Sequence, residues 1–262
     1  MTTNESDFLH FLKTREMGFD LVGKYEVPRL KGIKFKNLSS VKLIPFNFAT
    51  KPQNMEDRED EFVHFYLPDT YIERVWNNPD YYSTVFGQYK GIVQPDHSQY
   101  ITMPRAMQIW NYYRNMWLGA YYQSQGIRVI PSAQWSDEDS FEYCFDGMPK
   151  GSCICISSVG CMQNVQARIL FNAGLKEAVS RLEPSQIILH GVIDDDIRSK
   201  ISGIPYIHLD SEMKVRMDKY KQLRKILNKF SVKDFTFVKI CAIIELCLRG
   251  TQNFSMEDLQ ND

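Results

Sequence analysis

GIVQP at residues 91–95 and IRVIP at residues 127–131 enclose the stretch that decides the fold. Both are short apolar runs of strand type, and a long helical pattern lies between them. Strand, helix and strand in succession make a βαβ unit, whose crossover is right-handed in nearly all proteins. Within the helix, Met103, Met107, Trp110, Trp117 and Tyr121 recur at three-, four- and seven-residue spacing. Ala106, Ile109, Tyr113 and Ala120 widen that apolar stripe. Thr102 is placed to cap the first turn, Pro104 sits where a missing N–H costs nothing, and Gly126 can take the positive φ of a helix stop. Asn111 and Arg114 flank the stripe and are expected to pair locally. So many aromatics on one helix predict core packing rather than a cofactor site.

The same alternation extends outward. Downstream, CFDGMPKGSCICISSVG (144–160) holds a turn followed by a strand, Ser152–Ser158. Beyond lie a helix over Met162–Leu182, a strand over Gln186–Val192, a short helix over Asp194–Ile201 and a strand over Pro205–Leu209. A short capped helix is expected over Ser136–Phe145. Upstream, KLIPFNF (42–48) and EFVHFYL (61–67) read as strands, with the acidic run Glu56–Glu61 as an exposed loop between them. Asp69 or Thr70 caps a helix through Trp76, and Pro79–Tyr89 forms another. About seven strands separated by helices predict a largely parallel sheet. The number and length suit a single α/β domain of (β/α) barrel-like form, with an open doubly wound sheet as the alternative.

The core of that domain spans about 41–210, followed by a helical region over 211–250. In the latter, a helix over Ser211–Phe230 carries Met213, Met217, Tyr220 and Leu227 on a face expected to pack inward. Lys221, Arg224 and Lys225 fall on its basic face, a candidate contact for nucleic acid or an acidic partner. Asp234–Leu248 reads as a buried helix stopped by Gly250, and residues 5–17 as a short amphipathic helix through Phe8, Leu9, Phe11 and Leu12.

A chain of 262 residues with 44% hydrophobic content can bury a substantial core. Its formal charge of −1 removes any global electrostatic argument for nucleic acid. No apolar run approaches the roughly 18 residues that span a bilayer, so no membrane partner is expected. MTTNESDF lacks the charged-then-apolar pattern of a secretion signal. A soluble, cytoplasmic protein is the expectation. Cys144, Cys153, Cys155, Cys161, Cys241 and Cys247 then read as reduced thiols. Cys153 and Cys155 share one strand face, but C-x-C lacks the knuckle spacing of zinc sites, and neither a metal nor a cofactor is expected.

Four spaced words carry a resemblance: Trp76-Asn77-Asn78-Pro79-Asp80, Gly91-Ile92-Val93-Gln94-Pro95-Asp96, Met103 to Asn111 (MPRAMQIWN) and Cys144 to Ser152 (CFDGMPKGS). Together they resemble a family of bacteriophage and mobile-element proteins known only as a domain of unknown function. The resemblance covers roughly Val41 to Leu209. It implies a phage or integrated-element origin and a life inside an infected bacterium, and it transfers no catalytic residues.

Parallel α/β folds gather ligands at the carboxyl ends of their strands. Those ends offer Asp96, His97 and Tyr100, then Gln134, Trp135 and Asp137, then Ser157, Ser158 and Gly160, then His190 and Asp194, then His208 and Asp210. Asp96 with His97 or His190 is a candidate acid–base pair. Tyr100 and Trp135 are candidate ligand contacts. Ser157, Ser158 and Gly160 precede a helix and are a candidate phosphate turn. No P-loop, dinucleotide fingerprint or hydrolase elbow is present. Two functions remain: binding or acting on a phosphate-bearing ligand (nucleotide or nucleic acid) at the strand ends, or non-catalytic binding of a host protein.

Overall fold

A computed structural model of the chain describes residues 18–50 and 58–227, with side chains to residue 222. The chain parts into two compact units, Met1–Leu209 and Asp210–Asp262. The first opens with an antiparallel hairpin that the sequence had not suggested, β1 (Leu21–Val22) and β2 (Val27–Pro28). It continues through β3 (Lys42–Pro45), α1 (Phe46–Ala49), β4 (Glu61–His64), α2 (Asp69–Asn77), α3 (Pro79–Phe86), β5 (Gly91–Val93) and α4 (Arg105–Ser124). Then come β6 (Val129–Ile130), β7 (Cys153–Ser157), α5 (Val165–Leu182), β8 (Gln186–His190), α6 (Asp195–Lys200) and β9 (Tyr206–Leu209). In the second unit the described element is α7 (Glu212–Leu227).

The strands β3–β4–β5–β6 form one parallel sheet and β7–β8–β9 another. A single parallel bridge, Ser132↔Cys155, links them. There Cys155 N donates to the Pro131 carbonyl at 2.8 Å and Ala133 N to the Cys155 carbonyl at 2.9 Å. Strand order in space therefore follows order in sequence, as successive crossovers of one hand produce. Among the described residues no ladder joins β3 to β9, so the strands form parallel sheets without a closed barrel.

Side-chain alternation sorts the strands into three cores. Val63, Ile92 and Val129 pack with the helices α1 to α4 on one outer face. Ile154, Ile156, Ile187 and Leu189 pack with α4, α5 and α6 on the other. The intervening residues Phe62, Val93, Ile130, Cys153, Cys155 and Ile188 form a third, helix-free cluster drawn from both sheets. Apolar residues on both faces explain why these strands read as continuous runs. Each large buried side chain, such as Phe62 or Ile188, contributes about 2 kcal/mol.

Several elements differ from expectation for physical reasons. The helix α4 begins at Arg105 behind Pro104, with no side-chain cap, because Thr102 lies in the preceding turn. Its first half buries Gln108, Asn111, Arg114 and Asn115 and leaves Met107 51% exposed. Those turns stand over the loop after β5, whose backbone demands polar partners. The second half buries Trp117, Ala120 and Tyr121 as the stripe requires, and Met116 and Tyr122 beside it. KLIPFNF leaves strand conformation at Pro45, and Phe46 and Ala49 are buried from the short helix that follows. Asp69 opens α2 without capping it, and Glu61 is buried at the start of β4 rather than exposed.

Between β6 and β7 the expected helix is a 3-10 stretch over Glu138–Glu142 capped by Asp137. On α7, Met217 and Tyr220 are 49% and 56% exposed instead of packed. The helix expected over 5–17, Glu56 and Asp57 of the acidic run, Cys241, Cys247 and the helix expected over Asp234–Leu248 lie outside the described residues. No described helix is long and apolar enough to cross a membrane.

Candidate functional site

The polar face of α4 builds the site by holding the loop Asp96–Tyr100. Asn115 takes both hydrogen bonds of His97 on one oxygen: the backbone amide at 2.8 Å and ring Nδ1 at 2.7 Å. Its Nδ2 donates to the His97 carbonyl at 3.1 Å and to Gln134 Oε1 at 2.9 Å. Gln134 in turn donates to the Pro95 carbonyl at 3.2 Å. Asn111 donates to the Ser98 carbonyl at 2.6 Å, and Gln108 to the carbonyls of Tyr100 and Met103 at 3.0 Å each. Asp69, at the head of α2, accepts from the Ser98 amide at 3.0 Å and hydroxyl at 2.8 Å. Side chains thus meet the amides of His97 and Ser98 and the carbonyls of His97, Ser98 and Tyr100, which anchors a loop that has no strand partner.

That loop forms one wall of a cavity of about 450 Å³ at the carboxyl ends of the strands. Asp96, Tyr100, Trp135, Ser157 and Gly160, all singled out from sequence, line it together. Tyr66, Ser98, Gln99, Ser132, Gln134 and Cys161 complete its polar lining. Trp135 packs on Phe171 with the rings tilted by 41° and their centroids 5.5 Å apart. Behind it α5 comes so close that a Cβ at Gly174 would sit 2.2 Å from the indole nitrogen. The Tyr66 hydroxyl meets Ser132 Oγ at 3.0 Å on the inner face.

Among the described residues the Asp96 carboxylate has no hydrogen-bond partner; it opens to the cavity. Burial, with Asp69 as a second negative charge nearby, pushes its pKa from 3.8 up to about 7. The surrounding thiols move the same way: burial raises Cys155 to about 12 and Cys161 to about 11. Both stay protonated, so neither is an activated nucleophile at neutral pH.

His97 is placed apart from this cavity. It is fully buried against Asn115, and burial with the Arg114 charge lowers its pKa to about 4. Arg114 donates to Asn111 at 2.7 Å, the local pairing expected of it, and also to Glu73 of α2 at 2.7 Å. His190 is buried beneath the cavity rather than in its lining. Its Nδ1 lies 3.2 Å from the Ser157 hydroxyl, and its ring stacks on Tyr66 at 5.0 Å and leans on His64 at 4.8 Å.

Ser158 is buried, exchanging hydrogen bonds of 2.7 Å with the Val192 backbone. The turn it belongs to does not open a helix. Residues 158–164 intervene before α5, whose first turn is capped by Asn164. Three of its amides are also engaged within the chain: Ser158 N to the His190 carbonyl, Val159 N to Ser157 Oγ and Cys161 N to the Ser158 carbonyl.

On α7, Lys221 is exposed, 3.7 Å from Asp218. Arg224 and Lys225 belong to the helix, but their side chains lie outside the described residues. Gln134 stood among the strand-end residues, whereas the polar set Gln94, Gln108 and Asn115 was missed from sequence. Its signal was present in Gln108, Asn111 and Asn115, a polar stripe of three- and four-residue spacing on α4.

Residues 19–208 match the family described as Domain of unknown function (DUF4417). The "Gene 1 protein" of Mycobacterium phage L5 is 35% identical over 175 residues, 67% of this chain and 75% of that protein. The "Gene 1 protein" of Mycobacterium phage D29 is 36% identical over 179 residues, 67% of this chain and 63% of that protein. No solved structure matches.

Proposed function

The chain belongs to the DUF4417 family, which includes these phage proteins, and from that premise we propose that it acts in the bacterial cytoplasm as a phage or mobile-element protein that binds a small, ring-bearing ligand of the nucleotide class. The ligand occupies the strand-end cavity. We read the seven parallel strands as an incomplete barrel whose mouth is this cavity. Sequential strand order and the approach of His64 on β4 to His190 on β8 support that reading.

The observation that carries the functional reading is Asp96, an unpartnered carboxyl with a pKa of about 7 in a cavity walled by Trp135. Natural proteins do not leave a desolvated carboxyl unsatisfied without cause, and such groups concentrate at functional sites. The volume falls within the range of about 300–1,000 Å³ common to small-ligand sites. Trp135 supplies a ring face, and Asp96 exchanges a proton or hydrogen bond with the ligand at neutral pH. His190 positions Ser157 from below. Saturation-transfer spectra with a panel of bases, nucleosides and nucleotides test the proposal. Signals lost in Trp135→Leu support it, and silence across the panel refutes it.

One observation favours a second reading, binding of a host protein. The helix α7 exposes Met213, Met217 and Tyr220 beside Lys221.

A further inference from the structure

Within the nucleotide class, on which this inference rests, the lining of the cavity discriminates further. A phosphate taken out of water needs cations or free amides. Among the described residues the lining contains no lysine, arginine or histidine. It contains the Asp96 carboxyl, with Asp69 behind it as a second negative charge. The turn after β7, whose serines and glycine suggest a phosphate cradle, has already given the amides of Ser158, Val159 and Cys161 to acceptors within the chain. Asp69 likewise occupies both the amide and the hydroxyl of Ser98. Of the amides in the turn after β7, Gly160 N is left without an acceptor among the described residues, and one amide does not offset a phosphate charge.

A donor of another kind remains. Gln99 is 9% exposed and lines the cavity, and its Nε2 has no hydrogen-bond partner. Its Oε1 accepts from the Tyr143 hydroxyl at 3.0 Å. A buried amide donor left unsatisfied costs about 1–3 kcal/mol unless a ligand acceptor meets it. Gln99 and Asp96, three positions apart on one loop, thus bring a buried, unpartnered amide donor and an unpartnered carboxyl to the lining of the cavity that Trp135 also walls.

We propose that the cavity reads the hydrogen-bonding edge of an uncharged nitrogen heterocycle, a nucleobase or nucleoside, with Gln99 donating to a ring acceptor and Asp96 facing a ring or exocyclic N–H, and that it provides no phosphate subsite. The base supplies alternating donors and acceptors, which suits one amide donor and one carboxyl. A phosphate would meet the Asp96 charge without compensation.

Calorimetric titration of the full chain with adenosine, guanosine, cytidine and uridine, each beside its 5′-monophosphate, tests this. At least one nucleoside should bind, and its monophosphate should bind no more tightly. Gln99→Met keeps the side-chain volume, and Tyr143 retains Gln108 Oε1 at 3.3 Å as an acceptor. It should weaken that nucleoside roughly ten-fold. A monophosphate binding ten-fold more tightly than its nucleoside overturns the inference and leaves the cavity reading standing. Unchanged affinity in Gln99→Met overturns the Gln99 assignment. Binding by neither set overturns both readings. Should Gln99→Met fail to fold, the wild-type ratio of nucleoside to monophosphate decides alone.

Discussion

Replacing Asp96 by asparagine separates a carboxyl kept for function from one kept for structure. Moving a carboxyl from its ordinary 3.8 to about 7 penalises its charged form by roughly 4 kcal/mol at about 1.36 kcal/mol per decade. The sign follows from proton binding. Between pH 3.8 and about 7 the native state holds a proton that the unfolded chain has released, so wild-type stability falls as pH rises through that window and levels above it. Asparagine abolishes the titration. Asp96→Asn should therefore melt about 8–16 °C above wild type at pH 8, at roughly 2–4 °C per kcal/mol, and about half as far above it at pH 5.5. Differential scanning calorimetry at the two pH values reads both numbers. A variant less stable than wild type, or a difference that ignores pH, would refute the desolvated, unpartnered carboxyl.

Gly174→Ala places a methyl group 2.2 Å from the Trp135 indole nitrogen, so the ring must leave its seat against Phe171. A loss of about 1–3 kcal/mol in urea unfolding, with weaker ligand binding, is expected. Asn115→Ala strips partners from the His97 amide, ring and carbonyl and from Gln134 together. It should cost about 2–4 kcal/mol and disorder the Asp96 loop, which amide hydrogen exchange of residues 96–100 detects. Replacing Lys221, Arg224 and Lys225 with glutamate should abolish any nucleic-acid affinity carried by α7, which itself should fall steeply with salt. An unaltered mobility shift removes that helix as a nucleic-acid contact.

The parallel sheets were legible because each strand is apolar on both faces and each crossover is long enough for a helix. Ile92–Val93 and Val129–Ile130 declare themselves that way, and the helix between them could face only inward. What escaped was the half of α4 that serves the loop rather than the core. Periodicity counts Met107 as core, yet at that end of the helix the demand is for hydrogen bonds, and Gln108, Asn111 and Asn115 meet it. The candidate site was legible as a set of strand ends, since Asp96, Trp135 and Ser157 all reach one cavity. Its finer division was not. His97 adjoins Asp96 in sequence but turns to Asn115, and Ser158 adjoins Ser157 but turns to Val192, because neighbouring residues at a strand end face opposite ways. The hairpin β1–β2 is two residues per strand, too short for any pattern to register.

The four tryptophans allow one measurement to address the cavity alone. Trp76 packs edgewise on both Trp110 and Trp117, at 5.6 Å and 5.3 Å, whereas Trp135 lines the cavity. In a nitrogen-15 spectrum of the indole groups, with the Trp135 signal assigned by Trp135→Phe, titration with the nucleosides should move the Trp135 resonance and leave the other three in place. Four unmoved resonances at saturating nucleoside, or movement confined to Trp76, Trp110 and Trp117, would contradict a ligand site at the strand ends.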